Sequence, residues 1–273
     1  MPGQPAQRSA LLAAFSLEGH TAVVTGAAMG IGRQTALTYA AAGAHLVLAD
    51  LAEDELDETR SLVESAGGTA TIVPTDVTQR SHVDDLARVA TKESGRIGVW
   101  ANVAGIIRWT LLVDTTEEEL DAIVAVNFKG SFWGCATAGR VMSGTGGGSI
   151  INVASTAAEM AAPTLSVYGM TKAAVIQLTR VAAAELGPAG IRVNAVAPGW
   201  VETPMTRAAW RNPDGTFDEA RRESLVSSRR MQSPLGISGE AQDMAYALLY
   251  LAADASRFMT GQVLRPNGGV FMP

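Results

Sequence analysis

Short apolar runs rich in β-branched residues alternate along the chain with longer stretches of helical periodicity. The apolar runs predict strands, and they are HTAVVTG (20–26), AHLVLAD (44–50), TATIVPTD (69–76), RIGVWANVAG (96–105), GSIINVAS (148–155), IRVNAVAPG (191–199) and, shorter, a segment within GQVLRPNGG (261–269). Helical patterns occupy residues 30–43, 53–68, 79–95, 167–187 and 238–253, and another long helix is predicted to start near Thr116, where TEEE places acid in the first turn. Runs that are apolar at nearly every position are typical of parallel strands covered on both faces.

Strict alternation of strands and helices predicts an α/β fold. Right-handed crossovers then give a Rossmann-type doubly wound parallel sheet of about seven strands with helices on both faces. No Pro/Ser-rich linker interrupts the series, so residues 17–273 are predicted to form a single domain. Residues 1–16 are expected to be a flexible N-terminal arm. Residues 200–236 are rich in Arg, Pro and Gly, and a long irregular insertion at this place predicts a substrate lid.

Composition narrows the class of protein. The chain has 273 residues, 47% of them hydrophobic, a net charge of −6 and a pI near 5.2. An acidic chain offers no broad basic surface to nucleic acid or to an anionic membrane. No apolar run reaches the ~18 residues that span a bilayer, and the start lacks the pattern of a secretory signal. We therefore expect a soluble, cytoplasmic protein. Its single cysteine, Cys135, excludes an internal disulfide and is expected to be a small buried residue; no metal site is predicted.

A glycine-rich loop, TGAAMGIG (25–32), joins the first predicted strand to the first helix. Gly26 permits the tight turn, Gly30 lets the backbone approach a pyrophosphate, and Gly32 lets helix and strand pack closely. The helix N-terminus then presents free N–H groups to the phosphates. Glycine is common in turns, so such a loop is weak evidence alone, but its position between strand and helix is the context that the motif requires. The loop predicts dinucleotide binding.

Asp50 ends the second predicted strand, about twenty residues after the glycine loop. A carboxylate there can bind both hydroxyls of an adenosine ribose. A 2′-phosphate would meet a like charge, and two unit charges 4 Å apart repel by roughly 4 kcal/mol at an effective dielectric of 20. The neighbouring Ala28, Met29 and Leu51 supply no compensating cation. Asp50 therefore favours NAD over NADP; the alternative is that it only caps the next helix.

SVYGMTK (166–172) places Tyr168 and Lys172 four residues apart, on one face of a predicted helix. A tyrosine with a pKa near 10 is a poor base at pH 7, and a nearby ammonium should lower that pKa. Ser155, at the carboxyl end of a neighbouring strand, could hold a substrate oxygen while Tyr168 moves the proton. A Y-x-x-x-K pattern often arises by accident, but behind the glycine loop and Asp50 it indicates a proton-transfer site.

Taken in order, the motifs resemble those of the short-chain dehydrogenase/reductase family, in its compact single-domain branch. They extend over residues 20–270 and are TGAAMGIG, Asp50, DV (76–77), NVAG (102–105), Asn127 in VNFKG, Ser155, YGMTK and PGWVETP (198–204). The resemblance implies hydride transfer from or to C4 of a nicotinamide, with Tyr168 exchanging the alcohol proton. It further implies the catalytic set Asn127, Ser155, Tyr168 and Lys172.

The resemblance also implies individual roles around the cofactor. Asp76 and Val77 would hold the adenine, while Asn102 would approach the adenosine ribose and brace the sheet. Asn127 would retain a water that relays protons to Lys172, which would also bind the nicotinamide ribose. Val201 and Thr203 would contact the carboxamide. The full cofactor set implied is Gly26, Met29, Gly30, Ile31, Gly32, Asp50, Leu51, Asp76, Val77, Asn102, Ala104, Gly105, Tyr168, Lys172, Pro198, Gly199, Val201 and Thr203.

Two places depart from the family pattern. Val103 replaces the second Asn of the usual NNAG, which bears on the support of the sheet. Arg265 and Asn267 stand in RPNGG where VDGG is common, at an end that relatives often use in subunit contacts. The predicted helix 167–186 is apolar over much of its circumference, so we expect one part to be buried against another subunit. The expected assembly is a homotetramer, with a homodimer as the alternative.

The substrate is the least determined feature. Apolar residues of the lid and of the loop after the fourth strand have two possible roles: they enclose an apolar or ring-shaped ketone, or they pack the lid onto the domain. These residues are Met205, Trp210, Phe217, Leu225, Met231, Leu235 and Trp109. Six lid arginines either bind an anionic substrate or form a solvated helix face: Arg207, Arg211, Arg221, Arg222, Arg229 and Arg230. The leading interpretation is an NAD-dependent oxidoreductase of a secondary alcohol and its ketone. The alternatives are a reductase of 3-oxoacyl thioesters and a non-catalytic NAD-binding sensor.

Overall fold

The computed structural model describes residues 4–212 and 214–273. Its centre is a parallel sheet whose strands are β1 Thr21–Thr25, β2 His45–Asp50, β3 Thr69–Pro74, β4 Val99–Asn102, β5 Gly148–Val153, β6 Ile191–Val196 and β7 Val263–Leu264. The strand order is β3-β2-β1-β4-β5-β6-β7, and every neighbouring pair is parallel. The order reverses between β1 and β4, which opens a crevice at the carboxyl edge of the sheet. The predicted seven-stranded, doubly wound sheet is confirmed.

Helices cover both faces of the sheet. They are α1 Gln4–Ala13, α2 Gly30–Ala41, α3 Glu53–Ser65, α4 Arg80–Ser94, α5 Glu117–Ile123, α6 Gly130–Ser143, α7 Ser166–Leu186, α8 Pro204–Arg207, α9 Glu219–Gln232 and α10 Ala241–Ala252. Successive side chains of a strand point to opposite faces, and this separates two core layers. Val24 and Leu48 belong to the layer with α2, α3 and α10, whereas Val23 and Val47 belong to the layer with α4, α6 and α7. This double burial explains why the strands are apolar at nearly every position.

The segment expected to be a flexible arm, residues 1–16, contains a helix. Residues Gln4–Ala13 form α1, and residues 1–3 lie outside the described part of the chain. The Ala- and Leu-containing stretch favours a helix, and Pro5 is tolerated because it lies in the first turn. The carbonyl of Ala14 accepts a hydrogen bond from the amide of Ala255 at 2.8 Å, which ties the end of α1 to the domain.

The long helix predicted from Thr116 is interrupted by a wider turn. Thr116 caps α5, since its hydroxyl accepts a hydrogen bond from the amide of Glu119 at 3.2 Å. Between α5 and α6 the residues Val124–Lys129 form a π-helical turn that includes the fully buried Asn127. Such turns occur frequently at functional sites because they redirect single side chains. No feature of the sequence pattern predicted this change of helical pitch.

The predicted lid, residues 200–236, contains α8 and α9. Trp210 is almost completely buried and Val226 is buried, so the lid shields two apolar side chains from solvent. The other apolar candidates are more accessible: Met205, Phe217, Met231 and Leu235 are exposed and Leu225 is half-buried. Pro213 lies outside the described residues. Among the residues that are described, no helix is long and apolar enough to cross a membrane.

Candidate active site

The glycine loop closes tightly against the neighbouring strand end. Gly26 has a φ of +71°, and a Cβ built there would lie 2.7 Å from the backbone nitrogen of Ala104. A Cβ on Gly32 would overlap the carbonyl oxygen of Gly26. Helix α2 begins at Gly30 and carries no acidic residue in its first turn. A helix N-terminus without a competing carboxylate, behind backbone that only glycine permits, fits the pyrophosphate of a dinucleotide.

Asp50 lies beside this loop at the end of β2. One carboxylate oxygen accepts a hydrogen bond from the amide of Ala28 at 3.1 Å, and the other accepts from the amide of Leu51 at 2.7 Å. The cap residue of α3 is Ala52, and no side chain caps that helix. The alternative that Asp50 caps the next helix is therefore wrong. Asp50 is half-buried, while the side chains of Met29 and Leu51 are exposed.

Three further residues of the predicted cofactor set, Ile31, Asp76 and Val77, make contacts within the protein. Ile31 is partly buried and packs against the core layer that contains Val24 and Leu48. Asp76 accepts hydrogen bonds from the amide and the hydroxyl of Thr78, at 2.9 and 2.7 Å, and so shapes the turn before α4. Val77 is buried against α6, where a Cβ on Gly130 would lie 2.8 Å from its side chain.

The side chain of Asn102 is directed into the core. Its amide nitrogen donates to the side-chain oxygen of Asn152 at 2.8 Å, and its own oxygen accepts from the indole of Trp100 at 2.8 Å. Asn152 in turn donates to Thr179 of α7 at 2.9 Å. Cys135 is a free, buried thiol in contact with both asparagines, and burial raises its pKa to about 12. This polar network braces β4, β5 and α7, and only the backbone of Asn102 remains to meet a ribose.

The loop after β4 is fixed by a residue that the sequence did not single out. The hydroxyl of Thr25 accepts hydrogen bonds from the amides of Val103 and Ala104, at 3.1 and 3.3 Å. Val103 packs against the main core, so an apolar side chain suits this departure from the family pattern. Gly105 comes next, and a Cβ there would lie 3.2 Å from the side-chain oxygen of Asn127. The loop thus lies between the glycine loop and the proton-transfer residues.

Lys172 is buried, and its ammonium is held by the main chain of the sheet. The ammonium donates a hydrogen bond to the carbonyl of Val153 at 2.7 Å. It also lies 5.7 Å from the ring centre of Tyr168. Because burial disfavours the charged form, the pKa of Lys172 is lowered to about 8. The structure therefore brings together the Tyr168–Lys172 pair that the spacing predicted.

Tyr168 differs from the expectation in one respect. Its pKa is raised because burial disfavours the phenolate, and a hydrogen bond with Ser155 opposes this rise. The expected lowering of the Tyr168 pKa is therefore wrong, because burial sets the direction of the shift. Ser155 lies at the end of β5, where its hydroxyl also accepts a hydrogen bond from the amide of Ala157 at 3.1 Å. Ser155 and Tyr168 therefore meet at the carboxyl edge of the sheet.

Asn127 is held by the loop after β4 and by α7. Its side-chain oxygen accepts from the amide of Ile106 at 2.8 Å, and its nitrogen donates to the carbonyl of Ile106 at 2.9 Å. The same nitrogen donates to the hydroxyl of Thr171 at 3.3 Å. Thr171 and Lys172 are adjacent in α7, so Asn127 lies against the turn of the helix that carries Lys172.

The segment 198–204 lies over the glycine loop. Val201 and Thr203 are buried, and Thr203 caps α8 in a reciprocal capping box with Thr206. A Cβ on Gly30 would lie 3.5 Å from the side chain of Thr203. The carbonyl of Pro198 accepts a hydrogen bond from the amide of Thr156 at 3.0 Å, next to Ser155. Both ends of the predicted cofactor set therefore come to one crevice.

Two bidentate ion pairs near the site could not be inferred from the sequence. Arg222 of α9 binds Glu202 at 2.8 and 3.0 Å, which connects the lid to the segment that carries Val201 and Thr203. Arg265 binds Glu159 at 2.8 and 2.7 Å. The partners are far apart in sequence, and no local spacing signals either pair.

The remaining departures and lid arginines have simpler explanations. Asn267 donates to the carbonyl of Phe271 at 2.8 Å and accepts from the amide of Gly269 at 2.8 Å, so it shapes the C-terminal turn. It also packs closely on Gly199, where a Cβ would lie 2.8 Å from the Asn267 backbone. The lid arginines other than Arg222 are exposed, as expected of a solvated helix face. Within residues 4–212 and 214–273 no group of three or more His, Cys, Asp or Glu residues could hold a metal ion.

Comparison with known proteins gives matches over nearly the whole chain. A family model described as enoyl-(acyl carrier protein) reductase matches residues 26–271. A 3-oxoacyl-(acyl-carrier-protein) reductase from Thermotoga maritima is 37% identical over 254 residues, which cover 93% of this chain and 98% of the relative. An L-2,3-butanediol dehydrogenase from Corynebacterium glutamicum is 38% identical and covers 91% of this chain and 97% of the relative.

Solved structures give the same result at the level of the fold. A gluconate 5-dehydrogenase from Burkholderia cenocepacia J2315, in complex with NADP and tartrate, superposes with a TM-score of 0.86 at 31% identity. The match covers 95% of this chain and 98% of that chain. These similar proteins differ in their substrates, and the structure in the last comparison contains NADP where Asp50 predicts NAD here.

Proposed function

The chain belongs to the short-chain dehydrogenase/reductase family of oxidoreductases, and from this premise we propose that it interconverts a secondary alcohol and a ketone with NAD. The observation that supports this most strongly is the meeting of Ser155, Tyr168 and Lys172 beside the glycine loop. In a doubly wound sheet this edge is where ligands bind. An oxidoreductase needs a cofactor site and a proton-transfer group at one place, and this arrangement supplies both.

The residues of the chain carry out the proton transfer. In alcohol oxidation, the substrate C–H bond gives up a hydride and the O–H bond gives up a proton, which leaves a carbonyl. Ser155 donates a hydrogen bond to the substrate oxygen, and Tyr168 accepts the proton from it. Lys172 stabilises the phenolate form of Tyr168 by its positive charge, and it would bind the nicotinamide ribose when the cofactor is present. The reverse proton movement serves ketone reduction.

The cofactor is proposed to be NAD, which would supply the hydride acceptor when bound. The N–H groups at the start of α2 would hold the pyrophosphate, and Asp50 would bind the adenosine ribose. Asp76, Val77 and the backbone of Asn102 would surround the adenine end, and the segment 198–204 would meet the carboxamide. The fit rests on the closely packed glycine backbone and on the absence of an acidic residue from the first turn of α2.

A second candidate substrate class is the 3-oxoacyl thioester. It is favoured by the description of the matching family model and by the 37% identical relative from Thermotoga maritima. The butanediol dehydrogenase favours the simple secondary alcohol instead, since 2,3-butanediol is itself a secondary alcohol. The catalytic chemistry is shared, so only the substrate distinguishes the two. A third interpretation, a non-catalytic NAD sensor, would not require Ser155, Tyr168 and Lys172 to meet.

Assembly and location extend the proposal. The exposed Met170 and Val181 of α7 support a homotetramer or a homodimer that covers this helix. A single buried thiol, Cys135, supports a cytoplasmic location, where thiols remain reduced.

A screen by nicotinamide absorbance tests the proposed function. NAD and NADP are offered in parallel with aliphatic, cyclic and aromatic secondary alcohols, polyols, hydroxysteroids and 3-hydroxyacyl thioesters. Turnover of a secondary alcohol with NAD, lost in Tyr168→Phe, is the expected result. Turnover confined to the thioesters would support the second candidate. Tight NADH binding without turnover of any compound would support the sensor.

A further inference from the structure

A bidentate ion pair joins the C-terminal strand region to the loop after β5. The guanidinium of Arg265 donates to both oxygens of Glu159, at 2.8 and 2.7 Å, and a third nitrogen donates to the carbonyl of Val263 at 2.9 Å. The side chains of Arg265 and Glu159 are only 22% and 20% exposed. Two parallel hydrogen bonds in a partly buried place fix orientation as well as distance. The pair therefore holds Glu159 at a defined position relative to the sheet.

Glu159 ends a short turn that begins at Ser155. The turn residues Thr156–Ala158 are 3₁₀-helical, and the amide of Glu159 donates to the carbonyl of Thr156 at 3.0 Å. Inside the turn, the amide of Ala157 donates to the hydroxyl of Ser155 at 3.1 Å. The orientation of the Ser155 side chain is thus set by a turn whose far end is held by Arg265.

The same turn lies against the helix that carries Tyr168. A Cβ on Gly169 would lie 2.7 Å from the carbonyl oxygen of Ala157, so the turn contacts the residue that follows Tyr168. Gly169 allows this close approach because it has no side chain. A displacement of the turn would therefore change the distance between the hydroxyls of Ser155 and Tyr168.

We propose that Arg265 and Glu159 are positioning residues that keep the hydroxyl of Ser155 in hydrogen-bond contact with Tyr168. The inference rests on the proposed function, because it concerns the acid/base of that reaction. Arg265 lies in the C-terminal segment that departs from the family pattern. The proposal gives this departure a role within the subunit, which is to position Ser155.

The contact affects the acidity of Tyr168. The hydrogen bond with Ser155 opposes the rise in the pKa of Tyr168 that burial causes. The groups that face Tyr168 are the hydroxyl of Ser155 from the turn and the ammonium of Lys172 from its own helix. Glu159 remains ionised, because its hydrogen bonds with Arg265 and the charges of Arg265 and Arg180 hold its pKa below the usual value. The ion pair therefore stays formed while Tyr168 titrates, and its loss should raise the pKa of Tyr168.

The experiment compares wild-type protein with Arg265→Ala, Arg265→Lys and the exchange variant Glu159→Arg/Arg265→Glu. Each is assayed for kcat and kcat/KM of alcohol oxidation against pH, and NADH binding is measured by fluorescence. Arg88→Ala is the matched control, because Arg88 also pairs with an acidic side chain, Asp85, but on the exposed surface of α4. Arg265→Lys keeps the charge but lacks the planar fork, so it tests geometry in a variant that retains a cation.

In Arg265→Ala we expect the pH midpoint of kcat/KM to rise by about half a unit to one unit. We expect kcat to fall by about tenfold, because a small displacement of a catalytic group is costly. NADH binding should not change. The pH midpoint and kcat of Arg265→Lys should lie between those of the wild-type protein and of Arg265→Ala. The exchange variant should recover part of the loss in kcat, and Arg88→Ala should match the wild-type protein.

A midpoint that stays at the wild-type value in both Arg265 variants would overturn the inference, whatever happens to the rate. The Lys variant decides the matter if Arg265→Ala does not fold. A folded exchange variant that recovers nothing would also count against it. Absence of Tyr168-dependent turnover in the wild-type protein is a separate outcome, seen before any ion-pair variant is made, and it would overturn the proposed function together with this inference.

Discussion

The ammonium of Lys172 lies 5.7 Å from the ring centre of Tyr168 and is held there by a 2.7 Å hydrogen bond to the carbonyl of Val153. Burial raises the pKa of Tyr168 and lowers that of Lys172 to about 8. Both shifts follow from one cause, the removal of a charged form from water. The ammonium of Lys172 is thus held in a buried site that disfavours its charge, next to the hydroxyl-bearing ring of Tyr168.

This burial gives a prediction about stability. The folded-state pKa of Lys172, about 8, is below the usual lysine value of 10.5, so below pH 8 the folded protein carries a charge that the unfolded chain solvates better. The shift corresponds to about 3 kcal/mol, of which the lost hydrogen bond to Val153 in Lys172→Met would offset about 1 kcal/mol. We expect Lys172→Met to be more stable than wild type at pH 7.

The sign of the pH dependence provides the check. Between pH 8 and pH 10.5 the unfolded state binds more protons at this site, so wild-type stability gains on the variant as pH rises. Urea denaturation at pH 7 and at pH 10 should therefore show the advantage of Lys172→Met shrinking. An advantage that is equal at both pH values would contradict a buried ammonium at Lys172.

Asp50 should select the cofactor by its charge. Asp50→Asn keeps one oxygen that can accept from the amide of Ala28 or from that of Leu51, and it removes the charge that repels a 2′-phosphate. We expect the ratio of kcat/KM for NAD over NADP to fall by about tenfold or more. Asp50→Ala should show a similar change in the ratio, with an additional loss of stability. If both variants keep the wild-type ratio, cofactor selectivity resides elsewhere.

Gly32 should tolerate no side chain. A methyl group there would overlap the carbonyl of Gly26, and overpacking of this kind costs about 1–3 kcal/mol or more. Gly32→Ala should therefore lower the melting temperature and weaken NADH binding. Gly187→Ala is the matched control, because Gly187 has helical backbone angles and nothing within 4 Å of a Cβ. Equal behaviour of the two variants would show that the loop is not packed as described.

The exposed apolar side chains of α7 should lie in a subunit interface. Light scattering is expected to give the mass of a tetramer, or of a dimer, for the wild-type protein. Val181→Asp should reduce that mass, since Val181 is 44% exposed in the single chain. Leu62→Asp, at a 41% exposed position of α3, is the control and should leave the mass unchanged. A monomeric wild-type protein would refute the interface.

Local patterns were sufficient to predict the sheet and most helices. The strands around Val23 and Val47 are apolar on both faces because two helical layers cover them. Their apolar runs are therefore visible in the sequence itself. The Tyr168–Lys172 pair was predictable for a similar reason, since four residues are about one helical turn. Gly26 and Gly32 were recognisable because a tight turn and close packing leave few other residues possible.

Features that depend on distant parts of the chain could not be predicted. The ion pair of Glu159 with Arg265 joins residues 106 positions apart, and no spacing rule connects them. The π-helical turn at Asn127 interrupts the chain between α5 and α6, and the local sequence pattern contains no signal for it. The direction of the Tyr168 pKa shift was also wrongly predicted. The sequence shows that Lys172 is four residues from Tyr168, but it does not show how deeply Tyr168 is buried, and burial raises the pKa.

The central claim is that Tyr168 moves the proton of a bound alcohol, and removal of one oxygen atom tests it most directly. Tyr168→Phe keeps the ring beside Lys172 and deletes the hydroxyl. With an alcohol that the wild-type protein oxidises, we expect kcat to fall by about 100-fold or more while NADH binding is unchanged. A variant that retains most of the wild-type kcat would contradict the account, since another group would then carry the proton.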